Sequence, residues 1–332
     1  MSERRLELYR HLRRIRLLDE RLVQLQRQGR IAFHGSVAGQ EAAPVAAALA
    51  LRSGDWIFPA LRESYAMLVR GFPLERYIAQ DFGSSLDVAK GRQMPSHQAA
   101  RSVNVVSWSS CIATQLPQAV GMALAAKKLG RSDIALAFMG DGATSHPDFH
   151  AALNMAGVFA APCVFVCQNN QFAISVPVER QSGNPLLFEK AAAYGIPGER
   201  VDGNDAELLV ETFARAAERA RSGGGPSFIE CLTYRMGPHS SSDDPSRYRD
   251  ETITESWRER DPVALQRARV VGAGLLEAAA EATLERELTR ELDEAIAVVE
   301  RAPGPDVSTL FDDVYARRPR HLTEQADELR AR

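Results

Sequence analysis

The sequence predicts an α/β protein, a parallel sheet covered by helices on both faces, and three observations predict it. From about residue 40 helical patterns alternate with short apolar runs, the order of elements that such a sheet requires. Residues 134–167 read as strand, helix and strand in succession, a single crossover unit. The chain of 332 residues is 45% hydrophobic and 25% charged, ordinary for a globular protein and enough to bury a sheet on both sides. With 40 basic against 43 acidic side chains the net charge is −3, which gives no electrostatic reason to expect nucleic acid or an anionic membrane as partner. The 36 arginines against 4 lysines are read as genomic composition bias.

Taken in order, the elements have these grounds. Residues 1–30 hold nine arginines but also Glu3, Glu7, Asp19 and Glu20, acids that a mitochondrial presequence avoids. Leu8, Leu12, Ile15, Leu22 and Leu25 recur at helical spacing and Gly29 is a natural stop, so the segment reads as an amphipathic first helix. Residues 40–51 form an Ala-rich helix that packs closely, 55–58 a short strand, and 74–82 a helix. Residues 114–129 form another helix, small and apolar on several sides, for which deep burial is expected. The strand 134–139 leads through Gly140-Asp141-Gly142 to a helix over 146–159, with Ser145 as N-cap and Pro147 in the first turn. The next strand, 162–167, runs into Gln168-Asn169-Asn170. A helix over 206–221, a Gly-rich turn at 222–226 and a strand at 227–233 follow. Residues 238–248 are polar and aperiodic, which predicts an exposed loop, and from 253 the chain is helical with a break near 302–305. The expected organisation is a first helix (1–30), an α/β unit (31–252) and a helical C-terminal annex (253–332). Cys163 and Cys167 lie in an apolar run without ligand partners and read as core residues in a reducing compartment. No run approaches about 18 apolar residues, so no membrane span is expected and a cytoplasmic protein is.

In parallel α/β sheets ligands bind beyond the carboxyl ends of the strands. Two polar clusters sit at such ends, Gly140-Asp141-Gly142 and Asn169-Asn170, separated by 26 residues, the length of one helix and one strand. Each alone reads as a turn rather than a ligand. Together they bring a carboxylate and an amide oxygen to one point of the rim, a donor pair suited to a hard divalent ion such as magnesium. Magnesium keeps positions for water and phosphate, and glycines with a helix N-terminus nearby suit phosphate, so a phosphorylated ligand is expected. Neither a P-loop nor a Gly-x-Gly-x-x-Gly fingerprint occurs.

Gly-Asp-Gly, 26 residues, then Asn-Asn is the thiamine-diphosphate motif, and the surrounding chain resembles the α subunit of the E1 component of 2-oxo acid dehydrogenase complexes. The likeness extends over residues 31–36 and Gly39-Gln-Glu41, Arg62-Glu63, Lys90-Gly-Arg-Gln-Met-Pro95, and residues 109–115, 170–175, 201–205, 234–244 and 310–315. It implies the thiamine-diphosphate-binding fold, with Asp141, Asn170 and the main-chain oxygen of Phe172 ligating Mg2+. It sets Gly142 and Ala143 against the diphosphate, with Arg62 and Ser110 as further phosphate contacts and Ile112 as the apolar prop of the bent cofactor. His239 falls on the family's active-site histidine; from the residues alone it reads as a solvated loop histidine, and Arg62 as a strand-end arginine. Ser109, Thr114 and Gln115, with the Cys111 carbonyl, match a potassium (K+) loop found in part of the family, a structural hydroxyl cluster being the other reading.

The resemblance further implies a β subunit that supplies the glutamate activating the aminopyrimidine, a heterotetramer of two α and two β chains, and acyl transfer to the lipoyl domain of E2. Several positions depart from the pattern. Leu61 stands where a Tyr often precedes the arginine, Gln168 where an Arg contacts phosphate, and His146-Pro147 where Glu-Gly is usual. His34 and Ala60 occupy positions near the substrate and differ from branched-chain relatives. Ser240 and Ser242 sit where mitochondrial relatives are phosphorylated and read here as loop serines. The 238–244 loop and Lys90-Gly-Arg-Gln-Met-Pro95 favour a branched-chain 2-oxo acid such as 2-oxoisovalerate as substrate, with pyruvate and acetoin dehydrogenases as alternatives. A scaffold subunit without cofactor is the reading from a different class.

Overall fold

The computed structural model describes residues 2–331. Helix α1 (Ser2–Arg27) buries Leu8, Leu12, Ile15, Leu18, Leu22 and Leu25 in one stripe, and the chain leaves it through Gly29 in the left-handed region at φ +71°. Helix α2 (Ala42–Ala50) is almost wholly Ala and Val and buried, small enough to lie close against its neighbours. Then come β1 (Trp56–Phe58), α3 (Ala66–Val69), α4 (Leu74–Phe82), α5 (Gln115–Lys128), β2 (Ala135–Gly140), α6 (Pro147–Phe159) and β3 (Cys163–Asn169). A two-residue hairpin, β4 (Phe172–Ala173) and β5 (Val176–Pro177), precedes β6 (Gly198–Asp202), α7 (Ala206–Arg221) and β7 (Ser227–Leu232). Helices α8 (Glu251–Arg258), α9 (Pro262–Gly272), α10 (Ala278–Arg301) and α11 (Arg320–Arg330) complete the chain.

Five strands form one parallel sheet in the order β1-β2-β3-β7-β6. Side chains alternate across it, as the pleat requires. Leu136, Phe138, Val164, Val166, Ile229 and Cys231 face a core shared with α1, α2 and α7. Ala137, Met139, Cys163, Phe165, Cys167 and Phe228 face a second core made with α5 and α6. Gly140 pairs with Gln168, and Asn169 with Leu232, so β2, β3 and β7 end level with one another. Asp141, Asn170 and Thr233 therefore follow at one rim.

Four expectations are corrected. His146, not Ser145, caps α6: its ring nitrogen Nδ1 accepts from Asp148 N at 3.2 Å, while residues Asp141–Ser145 form a 3-10 turn. Helix α5 is not buried all round, for Gly121 and Ala125 are exposed. Strand β6 was not expected, because Gly-Glu-Arg-Val-Asp at the edge of a sheet carries no apolar alternation. The 238–248 loop is partly packed, with Ser240 buried and Ser242 exposed.

The C-terminal helices are joined to the sheet's first core. Leu284, Leu288, Leu292, Ile296 and Val299 of α10 belong to the same buried cluster as α1 and α4. Arg13–Glu285 at 2.6 Å, Arg21–Asp293 at 2.5 Å and the Arg14–Glu291 and Arg30–Glu300 pairs run along the α1–α10 seam. Among the described residues no helix is long and apolar enough to cross a membrane.

Candidate functional site

At the carboxyl end of β2 and β3 lies a cavity of about 290 Å³. Its polar wall is made by Gln40, Arg62, Asp141, Asn170, Arg235 and His239. Asp141 opens the turn after β2 and is almost fully buried. Its Oδ2 accepts from Gln181 Nε2 at 2.9 Å, and the backbone N–H of Asn170 donates to the same carboxylate. Burial outweighs these donors and pushes its pKa up from 3.8 to about 6. Asn170 follows β3; its Oδ1 accepts from Phe172 N at 3.2 Å and its Nδ2 donates to Gln40 Oε1 at 2.9 Å. The chain then turns through Gln171 and Ile174, both at positive φ, to make the β4–β5 hairpin. Gly142 is required by that hairpin: a Cβ on it would stand 2.6 Å from the Ala173 Cβ.

Two buried guanidinium groups line the same cavity. Arg62 donates from Nε to the Ser36 carbonyl and from Nη2 to the His239 carbonyl, each at 2.7 Å. Arg235 donates to the carbonyls of Phe172 (3.0 Å) and Ile174 (2.6 Å) and to the Tyr248 hydroxyl (2.9 Å), and its Nε has no partner. All these acceptors are neutral. Burial, and then the like charge of Arg235, lower the Arg62 pKa to about 10; burial lowers that of Arg235 also. His239 is half-buried beside them. Burial first, then repulsion from Arg62 and Arg235, pulls its pKa down to about 4, so its imidazole is neutral at pH 7. Its backbone N–H donates to Asp243 Oδ2 at 2.7 Å, which also accepts from the Tyr248 hydroxyl at 2.5 Å.

The remaining residues singled out in the sequence divide. Ala143, Ser110 and Ile112 line the cavity, Ile112 more than half exposed at its mouth. Ser110 Oγ lies 2.9 Å from His97 Nε2, and His97 Nδ1 lies 3.0 Å from the Pro95 carbonyl, which can only accept. The Nδ1 proton therefore belongs to that carbonyl, and Ser110 donates to His97. Ser109 and Gln115 reach the cavity wall but Thr114 does not. Cys111 N donates to Ser109 Oγ at 3.1 Å, Thr114 Oγ1 to the Cys111 carbonyl at 2.9 Å, and Gln115 Nε2 to the Phe138 carbonyl at 2.7 Å. The Phe172 carbonyl lies at the cavity with one lone pair taken by Arg235.

Of the departures, Leu61, Ala60 and Gln168 line the cavity, whereas His34 does not: its ring turns inward to Asp19 at 2.8 Å, and Phe33 faces the cavity instead. Gln168 Nε2 donates to buried Glu63, leaving Oε1 without a partner. Gln40, Arg235 and Gln181 were given no role from the sequence. Gln40 and Arg235 lie inside segments that carried the resemblance, a signal that could have found them; Gln181 lies in none. Among the described residues no three His, Cys, Asp or Glu side chains cluster as a metal site, so a cation here would draw on amide and carbonyl oxygens beside Asp141.

The family described as dehydrogenase E1 component matches residues 9–308. The chain is 40% identical over 320 residues to 2-oxoisovalerate dehydrogenase subunit alpha 2, mitochondrial, of Arabidopsis thaliana, covering 96% of this chain and 68% of that protein. It is 42% identical over 316 residues to the 3-methyl-2-oxobutanoate dehydrogenase subunit alpha of Mycobacterium tuberculosis, covering 95% and 84%. It is 39% identical over 320 residues to the pyruvate dehydrogenase E1 component subunit alpha of Bacillus cereus, covering 96% and 84%.

Proposed function

The chain belongs to the dehydrogenase E1 component family, and from that premise we propose that it is the α subunit of a branched-chain 2-oxo acid dehydrogenase. With a β subunit it decarboxylates 2-oxoisovalerate and its homologues and passes the acyl group to the lipoyl domain of an E2. The observation that carries the reading is the charge arrangement of the cavity. Two buried guanidiniums whose hydrogen-bond acceptors are all neutral share one cavity with the buried carboxylates Asp141 and Glu63. Such a cavity is costly to leave empty and suited to an anion on one side and a cation on the other.

The residues fit thiamine diphosphate with Mg2+. Three residues of the cavity wall keep a buried polar atom without a partner, Gln40 Nε2, Gln168 Oε1 and Arg235 Nε, so the wall is polar beyond what the chain itself satisfies. Asp141, Asn170 Oδ1 and the free lone pair of the Phe172 carbonyl would hold magnesium. Arg62, Arg235 and the Gly142–Ala143 turn would take the diphosphate, and Ile112 would support the cofactor's bend. Bound there, the cofactor supplies the nucleophilic carbon and the electron sink that release CO2 from a 2-oxo acid.

The chain's own part is binding, orientation and proton placement. Arg62 ties the 33–37 loop to the His239 loop through two carbonyls, so the anion site and the histidine are set by one side chain. Burial is the main reason His239 is neutral, and an anion beside Arg62 and Arg235 would offset the smaller part of the shift that their repulsion adds. Phe33, Leu61, Trp108 and Ile112 give the cavity an apolar lining. For the 109–115 loop, the bonds between Thr114 and the Cys111 carbonyl and between Ser109 and Cys111 N support a self-closed hydroxyl cluster. Potassium on Ser109, Thr114 and Gln115 is the alternative. Residues 31–252 are the cofactor-holding unit of this reading, flanked by 1–30 and 253–332.

The test is 2-oxo acid-dependent ferricyanide reduction by the co-expressed α and β chains. A kcat/KM for 2-oxoisovalerate about tenfold or more above that for pyruvate is expected, a margin that small apolar differences in a pocket can supply. Pyruvate preferred by the same margin would assign the chain to the pyruvate dehydrogenases, as the Bacillus cereus relative suggests.

A further inference from the structure

Gln40 enters the site from a turn that the backbone holds tightly. Gly39 before it has φ +90°, and a Cβ there would stand 2.5 Å from the Tyr234 carbonyl oxygen. The Gln40 side chain is only 1% exposed, yet it reaches the cavity wall. It faces Asn170, and the two amides lie 2.9 Å apart.

Two amides can pair in either sense, because the oxygen and NH2 ends have nearly the same shape. A third group removes the ambiguity. The backbone N–H of Phe172, which can only donate, lies 3.2 Å from one end of the Asn170 amide. That end is therefore the oxygen, and the end toward Gln40 is the NH2. Gln40 must answer with its oxygen, which leaves its own Nε2 as a buried donor without a partner. An Asn170 without this acceptor keeps only the long 3.2 Å contact from Phe172 N–H to hold its sense, and its NH2 is left without a partner. Turned the other way, it would present two N–H groups where an oxygen is needed.

We propose that Gln40 is a positioning residue for the metal: its Oε1, holding the NH2 end while Phe172 N–H holds the oxygen end, locks the Asn170 amide so that Oδ1 stays available to the cation. The inference rests on the reading of Asp141, Asn170 and the Phe172 carbonyl as the magnesium-holding set. Residues that orient a metal ligand through a hydrogen bond typically control metal affinity by about 10–100-fold. What matters at position 40 is then an acceptor, and the Nε2 donor is dispensable to this task.

The experiment uses the α chain assembled with its β subunit at fixed thiamine diphosphate. Mg2+ is titrated with intrinsic fluorescence as readout, and Mn2+ binding is followed by electron paramagnetic resonance. Gln40→Met removes both amide atoms at similar volume, and Gln40→Glu keeps an acceptor while losing the donor. The expected result is a half-saturating Mg2+ concentration raised about 10–100-fold in Gln40→Met and by no more than about threefold in Gln40→Glu. The melting temperature of the cofactor-free assembly serves as the control for a merely structural role and should not order the variants this way. Should Gln40→Met fail to assemble, Gln40→Ala carries the same expectation. Wild-type metal affinity in Gln40→Met, or equal weakening in Gln40→Met and Gln40→Glu, overturns the inference while leaving the metal site standing. A wild-type assembly with no magnesium response overturns the metal reading itself, and the inference with it.

Discussion

Asp141 is kept charged at a cost, and removing the charge separates stability from binding. Its pKa is raised from 3.8 to about 6 by burial, so the folded chain holds a proton between those values that the unfolded chain has lost. The penalty is therefore full above about pH 6 and fades as pH falls toward 4. Asp141→Asn should raise the melting temperature of the cofactor-free assembly by about 2–5 °C at pH 7.5. The gain should shrink at pH 5, and the magnesium-dependent fluorescence response should be lost. Scanning fluorimetry at the two pH values checks the first part; an unchanged or lower melting temperature at pH 7.5 refutes it. His239 has the opposite sign. With its pKa lowered to about 4, the folded chain refuses a proton that the unfolded chain accepts below 6.5, so this group subtracts stability as pH falls from about 7 to 4. Inorganic pyrophosphate should move the His239 titration, followed by NMR, upward; a titration that stays near 4 would leave burial, the largest cause, as the sufficient one.

The elements around the cavity bear their own prediction. Gly142 abuts the β4–β5 hairpin so closely that a Cβ would stand 2.6 Å from Ala173 and 3.1 Å from Gln181 Oε1. Gly142→Ala should displace the hairpin and the Phe172 carbonyl with it. Cofactor affinity should weaken about tenfold or more, while stability falls by only about 1–3 kcal/mol. Calorimetric titration of thiamine diphosphate with Mg2+ measures the first and chemical denaturation the second. This level of structure also marks what was legible in the sequence. Asp141 and Asn170 could be paired from spacing alone, because one crossover joins adjacent strands and its length fixes the rim at which they meet. The helices expected at 74–82 and about 206–221 are α4 and α7. Arg235 and Gln40 had no such local sign. Each gains its place from contacts far along the chain, Gln40 with Asn170 and Arg235 with Phe172 and Ile174. Strand β6 escaped for a related reason: it is made a strand by pairing with β7, not by its side chains.

At the scale of the molecule, the first and last helices share the sheet's core. Leu288 is fully buried where α10 meets α1 and α4. Leu288→Ala should cost about 2–5 kcal/mol. Far- and near-ultraviolet signals should fall together on denaturation; separate transitions for the C-terminal helices would show that they fold on their own. The seam has a consequence for how the chain is made. Arg13 meets Glu285 across 272 residues of sequence. At about 5–20 residues per second, roughly 15–55 s pass on the ribosome between the synthesis of α1 and that of the α10 residues that meet it, and α9, its most extensive neighbour, comes only shortly before α10. Over that interval the apolar face of α1 is only partly covered, by α2 and then α7, so a factor that shields such faces during translation should raise the yield of folded protein more than any buffer supplied after release.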